Sequence, residues 1–226
     1  MDRYSRHRNL FSAKQFEQIE NSKVLVAGAG GLGCTVLQLL VRTGIKTIHI
    51  YDYAQVDLPD LNRQILYDKN DIDQNKAICA AKKLNAINSE VSIISHLEKI
   101  DENTELPDID IVFDCLDNFK TRFIVDKLLS KGKTPMIHAG VNKYSAQITS
   151  IVPGKSKSLS ELFPIESSAI DSQINKDIFP PLVTITASIQ VTEGLKFLTK
   201  RIDEMLINKV LMIDSESYSF EIEEFK

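Results

Sequence analysis

The chain has 226 residues, of which 43% are hydrophobic and 26% charged, with a formal net charge of −4. That length suits one α/β domain with a substantial core, and scattered lysines and arginines under a net negative charge argue against nucleic acid as the partner. The opening MDRYSRHRNL is too polar for a signal peptide, and no apolar run reaches the roughly 18 residues that cross a bilayer, so no membrane role and a cytoplasmic location are expected.

Residues 1–22 read as a polar arm followed by a short helix over 12–20, with Ser12 as its cap. KVLVAG, 23–28, is valine-rich and apolar and predicts a buried strand. It runs into GAGGLG, 28–33, and then a helix is expected over 34–44, stopped by Gly44. TIHIYD, 47–52, predicts the next strand and completes a βαβ unit. The polar stretch 53–73 is longer than an ordinary connection, and such excess length often carries function. A helix over 75–87, strands over 91–96 and 110–118, a helix over 121–132 and strands over 134–141 and 145–152 follow. Residues 153–181, serine-rich with four prolines, read as a long crossing loop that orders when something binds. Residues 182–200 carry a helical pattern whose β-branched start leaves a strand open, and 209–214 and 217–224 read as two terminal strands. The fold expected is a single α/β domain over 1–226. It would be a Rossmann-like three-layer fold with a mostly parallel central sheet, extended by antiparallel C-terminal strands. Its parts are the arm (1–22), a nucleotide-binding core (23–152), the crossover loop (153–181) and the C-terminal helix and strands (182–226).

Gly28, Gly30, Gly31 and Gly33 sit where a strand turns into a helix. Residues without Cβ let the backbone turn sharply and approach a phosphate or ribose closely. The helix that follows offers unpaired N–H groups and positive potential to an anion. Asp52 closes the next strand, where a carboxylate can accept from ribose hydroxyls. On the turn alone, NAD or FAD would serve as well as ATP.

Other residues shift that balance. Arg63 and Gln64 lie in the long insertion, Lys76 at the start of the next helix, and Asp117 and Asn118 just beyond a strand that should end at the same sheet edge as Asp52. Open α/β sheets bind ligands outside the carboxyl ends of their strands. Two cations, two carboxylates and two amides there suit attack on a triphosphate, because Arg and Lys neutralise phosphate and a carboxylate can hold magnesium. Hydride transfer has no use for such a cluster. Cys34, Cys79 and Cys115 make no CxxC pair and read as small packing residues.

These motifs carry a resemblance. RYSRH (3–7), GAGGLG (28–33), Asp52, LNRQ (61–64), NKA (75–77), DCLDNFKTR (114–122) and SIQVTEGLKFL (188–198) resemble the ThiF/MoeB/HesA group, relatives of the ubiquitin-activating enzymes, from about residue 3 to 198. The resemblance implies an adenylyltransferase that binds ATP and Mg2+, activates a carboxylate as an acyl-adenylate and releases pyrophosphate. By position it implies that Asp52 binds the ribose, Arg63 and Lys76 hold the phosphates, Asp117 binds magnesium, and Asn62 and Gln64 line the nucleotide site. It also implies a homodimer in which Arg6 reaches the partner subunit's site, an arginine supplied in trans.

The chain departs from that pattern in two places. Many relatives hold a structural zinc with two CxxC pairs, but no cysteine follows residue 115, so no such zinc is expected. Some relatives carry a cysteine in the crossing loop, where this chain has Ser167 and Ser168, poor nucleophiles without an adjacent base. The missing cysteines loosen the link to sulfur transfer and slightly favour a small-molecule carboxylate, such as the pyridinol precursor of the iron-guanylylpyridinol cofactor. The alternatives are the C-terminal glycine of a ubiquitin-like sulfur-carrier protein and a nucleotide-binding scaffold without turnover.

Overall fold

The computed structural model describes residues 2–164, 171 and 177–225. Eight strands form one sheet in the order β3-β2-β1-β4-β5-β6-β7-β8. They are β1 (Lys23–Ala27), β2 (Thr47–Tyr51), β3 (Ser92–His96), β4 (Ile111–Asp114), β5 (Met136–Asn142), β6 (Ser145–Ile151), β7 (Lys209–Asp214) and β8 (Ser219–Glu224). The first five pair in parallel and the last three are added antiparallel. The mostly parallel sheet with its antiparallel extension is the fold expected from the sequence.

Strand parity divides the core. Val24, Val26, Ile48, Ile50, Ile111 and Phe113 face one side, packed with α2 (Gly31–Thr43), α3 (Lys76–Ile87) and the long helix α6 (Pro180–Leu198). Leu25, Ala27, Tyr51 and Val112 face the other, with Val125 and Leu129 of α4 (Phe119–Leu129) and Leu159 of α5 (Leu159–Leu162). Burial on both faces explains why these strands read as continuous apolar runs. The β1 register pairs Ala27 with Tyr51 and with Asp114, so β1, β2 and β4 end level at one edge.

The ends of several elements differ from the sequence reading. Helix α2 starts at Gly31 rather than 34, so Gly31 and Gly33 lie in its first turn. Strand β4 stops at Asp114 rather than running to 118, because Asn118 caps α4 by accepting from Thr121 N. The strand left open near 182 is helix, with Pro180 and Pro181 in its first turn, where a missing N–H costs no hydrogen bond. The crossing segment contains α5, and Asn208 ties it to the sheet by accepting from Lys157 N (2.9 Å) and donating to Lys155 O (3.2 Å). Ser167 and Ser168 lie outside the described residues. Helix α1 (Ala13–Asn21) is capped by Ser12, which accepts from Gln15 N while Gln15 reaches back to Ser12 N.

Candidate active site

The glycine turn follows β1 at the level edge. Gly28 has φ +95°, and a Cβ there would lie 2.6 Å from Cys115 O. A Cβ on Gly33 would lie 2.0 Å from Gly28 O, so the first turn of α2 closes on the loop only because this residue is glycine. Gly30 is the N-cap of α2 and makes no side-chain cap, so the N–H groups of the first turn have no side-chain partner from it. Gly31 sits beside Arg63 and Val183, and Gly30 beside Gln64.

Asp52 follows β2. One oxygen accepts from Ala29 N and the other from Ala54 N, both at 2.8 Å. Burial pushes its carboxyl above the ordinary aspartate value, opposed by those two amides and by Lys76, while Asp117 adds to the rise. Asp52 therefore lies within electrostatic reach of both Lys76 and Asp117, as the sequence reading required.

Residues 58–62 make a 3-10 turn that presents Asp60 inward, 8% exposed. Its carboxylate meets Lys76 Nζ at 2.9 Å and Arg63 at 3.4 Å. It also accepts from Gln64 Nε2 (2.6 Å) and Asp57 N (3.1 Å). Arg63 further donates to Pro59 O and to Asn62 Oδ1. Arg63, Gln64 and Lys76 thus converge as expected, around a carboxylate that the sequence reading did not single out. Tyr67 was also missed: its hydroxyl lies 2.8 Å from Ala29 O and 3.1 Å from Lys76 O, joining the glycine turn to the start of α3. Asp60 abuts LNRQ in sequence, but a single aspartate in a polar loop gives no sign that it will be buried.

Asp117 is exposed on the loop between β4 and α4, and its Oδ1 accepts from Asn118 Nδ2 at 3.0 Å. The loop is fixed from beneath. Leu116 N donates to Asp114 Oδ1 (3.1 Å), and Arg122 donates to Leu116 O and to Ala139 O. Asp114, fully buried, also meets His138 Nδ1 at 2.7 Å. Burial pulls the His138 imidazole below its ordinary value, so the ring is neutral with Nδ1–H donating to Asp114 and Nε2 accepting from Gln147. His138 and Asp114 form a buried pair that supports the loop from beneath. On the far side Asp171 accepts from Phe119 N (2.6 Å) and Lys120 N (3.3 Å), placing a residue of the crossing segment at the start of α4.

A magnesium ion fits Asp117 in the following sense. The carboxylate is exposed, and among the described residues only Asn118 engages it. No group of three His, Cys, Asp or Glu among the described residues is arranged to hold a metal ion. Magnesium there would take much of its shell from phosphate and water, as is usual for this ion.

Arg6 is not at this site. Tyr4 is buried with its hydroxyl 3.0 Å from Asn88 Nδ2, and His7 Nε2 lies 3.1 Å from Thr43 O, at the far end of α2 from the glycine turn. The 13 residues of α2 separate the two by about 20 Å at 1.5 Å per residue. His7 is half-buried by this contact. The three cysteines are buried and free, and burial pushes Cys34 up to about 12, so none offers a thiolate.

The profile of the ThiF family matches residues 4–226. Molybdopterin-synthase adenylyltransferase of Haemophilus influenzae is 30% identical over 217 residues, covering 93% of this chain and 87% of the relative. SUMO-activating enzyme subunit 2 of Dictyostelium discoideum is 34% identical over 176 residues, covering 76% of this chain and 26% of the relative, so the chain matches about a quarter of that protein. Among solved structures, MccB of E. coli with ATP superposes with a TM-score of 0.87 at 26% identity, covering 99% of this chain and 71% of that one. MccB with AMPCPP and MccA gives 0.88 at the same identity and coverage.

Proposed function

The chain belongs to the ThiF family, an ATP-dependent adenylyltransferase by that membership, and from this premise we propose that it converts a carboxylate on a polypeptide to an acyl-adenylate with release of pyrophosphate. The observation that carries the reading is the meeting, at one sheet edge, of a helix N-terminus without a side-chain cap with Asp52, Arg63, Lys76 and Asp117. The polypeptide substrate rests on the names of the relatives: one acts on a synthase, another activates SUMO, and MccB was solved holding MccA beside AMPCPP.

In this reading the α2 N-terminus and Gly30 receive phosphate, Asp52 accepts from the ribose hydroxyls, and Asn62 and Gln64 line the nucleotide. Arg63 and Lys76 offset charge on the triphosphate and on departing pyrophosphate. Asp117, fixed from beneath through Leu116, would hold magnesium, which supplies charge neutralisation at the phosphates. Asn118 steadies Asp117 and caps α4. The attacking carboxylate is already ionised near neutral pH, so the chain needs no general base and contributes position and electrostatics. Arg6 belongs to the site of a partner subunit in a homodimer, since its own site is at the other end of α2.

Magnesium-dependent exchange of pyrophosphate into ATP tests this, with candidate carrier proteins, peptides and small carboxylates, the pyridinol precursor included. Exchange should depend on one carboxylate and fall by about a hundredfold or more in Asp117→Ala. A small carboxylate that supports exchange where every polypeptide fails would overturn the substrate class. Tight ATP binding with no exchange would favour a scaffold.

A further inference from the structure

Asp60 is a buried carboxylate in the middle of the cations assigned to phosphate, and no step above uses it. Each of its oxygens has two partners: Gln64 Nε2 and Arg63 on Oδ1, Lys76 Nζ and Asp57 N on Oδ2. A carboxylate with four donors is saturated, so it has no remaining capacity to bind a ligand of its own. Its effect falls on the groups around it.

That effect has two parts. Arg63 and Lys76 come from different segments, a 3-10 turn and the start of α3, and both would otherwise be long side chains with several rotamers. Sharing one carboxylate holds the two cations a fixed distance apart in front of the α2 N-terminus. The second part concerns Gln64, which is 2% exposed. An ionised carboxylate only accepts, so the amide must turn Nε2 toward Asp60. Its Oε1 is then left buried with no partner. A buried acceptor without a partner is costly, and the Gln64 atom that lies beside Gly30 is Nε2, the one held by Asp60.

We propose that Asp60 is a positioning residue for ATP, which holds Lys76 and Arg63 together for the β- and γ-phosphates. The inference rests on the ATP reading of the site. The carboxylate also limits the positive charge of this cluster: Arg63, Lys76 and Asp60 together carry one net positive charge.

The test compares ATP with AMP, because AMP lacks the phosphates that the two cations would hold. Titration calorimetry with magnesium would be run on the full chain, on Asp60→Asn and on Asp60→Glu. Asparagine keeps the size but loses the charge and lets the Gln64 amide turn over. It should weaken ATP about tenfold or more, the range for lost charge-assisted hydrogen bonds, while AMP changes by less than about threefold. Glutamate, with the charge one methylene farther out, should recover part of the ATP affinity and serves as the measured arm if asparagine prevents folding: its ATP affinity should then fall without loss of AMP binding. A double cycle with Lys76→Met should show the two losses to be less than additive. Equal or tighter ATP binding in Asp60→Asn, or parallel loss of ATP and AMP, would overturn the positioning role alone. A wild-type chain that binds no ATP would overturn the reading of the site and this proposal with it.

Discussion

Asp52 shows how one half-buried group can set opposite pH trends for stability and for binding. Burial lifts its carboxyl above the ordinary aspartate value, near 3.9. Between that value and the raised one, the folded chain holds a proton that the unfolded chain has released. The contribution of Asp52 to stability therefore falls as pH rises through that window and is flat above it. Ribose binding needs the ionised form, so ATP affinity should fall as pH drops toward the raised value, and Asp52→Asn should bind weakly with no such slope. Affinity measured between pH 7 and 5 checks this. Gly33 is a sharper case at the same scale. A Cβ at 2.0 Å from a backbone oxygen cannot be relieved by a side-chain rotation. Gly33→Ala should cost about 3 kcal/mol or more of stability by urea unfolding, and any folded fraction should lose ATP binding.

At the scale of elements, α6 is held against the sheet by a close approach. A Cβ on Gly194 would lie 2.3 Å from Cζ of Phe113 in β4. Alanine should favour the helix by about 1 kcal/mol, yet the overpacking should cost about 1–3 kcal/mol net. Unfolding of Gly194→Ala measures that loss, and adding Phe113→Leu should return part of it, because the clash is with the ring. Gln190 on the same helix donates to Asp114 O and Ile137 O, both at 2.8 Å, so α6 also braces the end of β4 below the Asp117 loop. The periodicity of 182–200 revealed a helix but gave no hint of this contact. In a strongly apolar helix many faces can be buried, and only the packed sheet shows which one meets β4.

For the whole molecule, the separation of Arg6 from its own glycine turn has a direct consequence. If Arg6 acts on a partner, Arg6→Ala and Asp117→Ala should each be inactive in pyrophosphate exchange. Mixing the two under conditions that exchange subunits should restore about a quarter of the wild-type sites: half the dimers are mixed, and each mixed dimer has one intact site. No recovery, with mixed dimers demonstrated by size and tag, would show that Arg6 does not act in trans.

The order of elements, the glycine turn and the spacing of Asp52, LNRQ, Lys76 and Asp117 were legible in the sequence because they depend on local chemistry: burial on both strand faces, residues lacking Cβ, and caps and turns between neighbouring residues. Strand β4 and helix α2 were misplaced at their ends because a cap at Asn118 and a helix starting on glycine leave weak signals in composition. Sequence alone also favoured a triphosphate over a plain dinucleotide, because cations and carboxylates were expected together at one sheet edge. Tertiary structure decided the rest. It buried Asp60 among Arg63, Gln64 and Lys76, set Asp114, His138 and Arg122 beneath the Asp117 loop, and anchored the N-terminal arm far from its own site. Each of these joins segments distant in the chain, and whether a polar side chain is buried and paired depends on what packs over it, which no local pattern encodes.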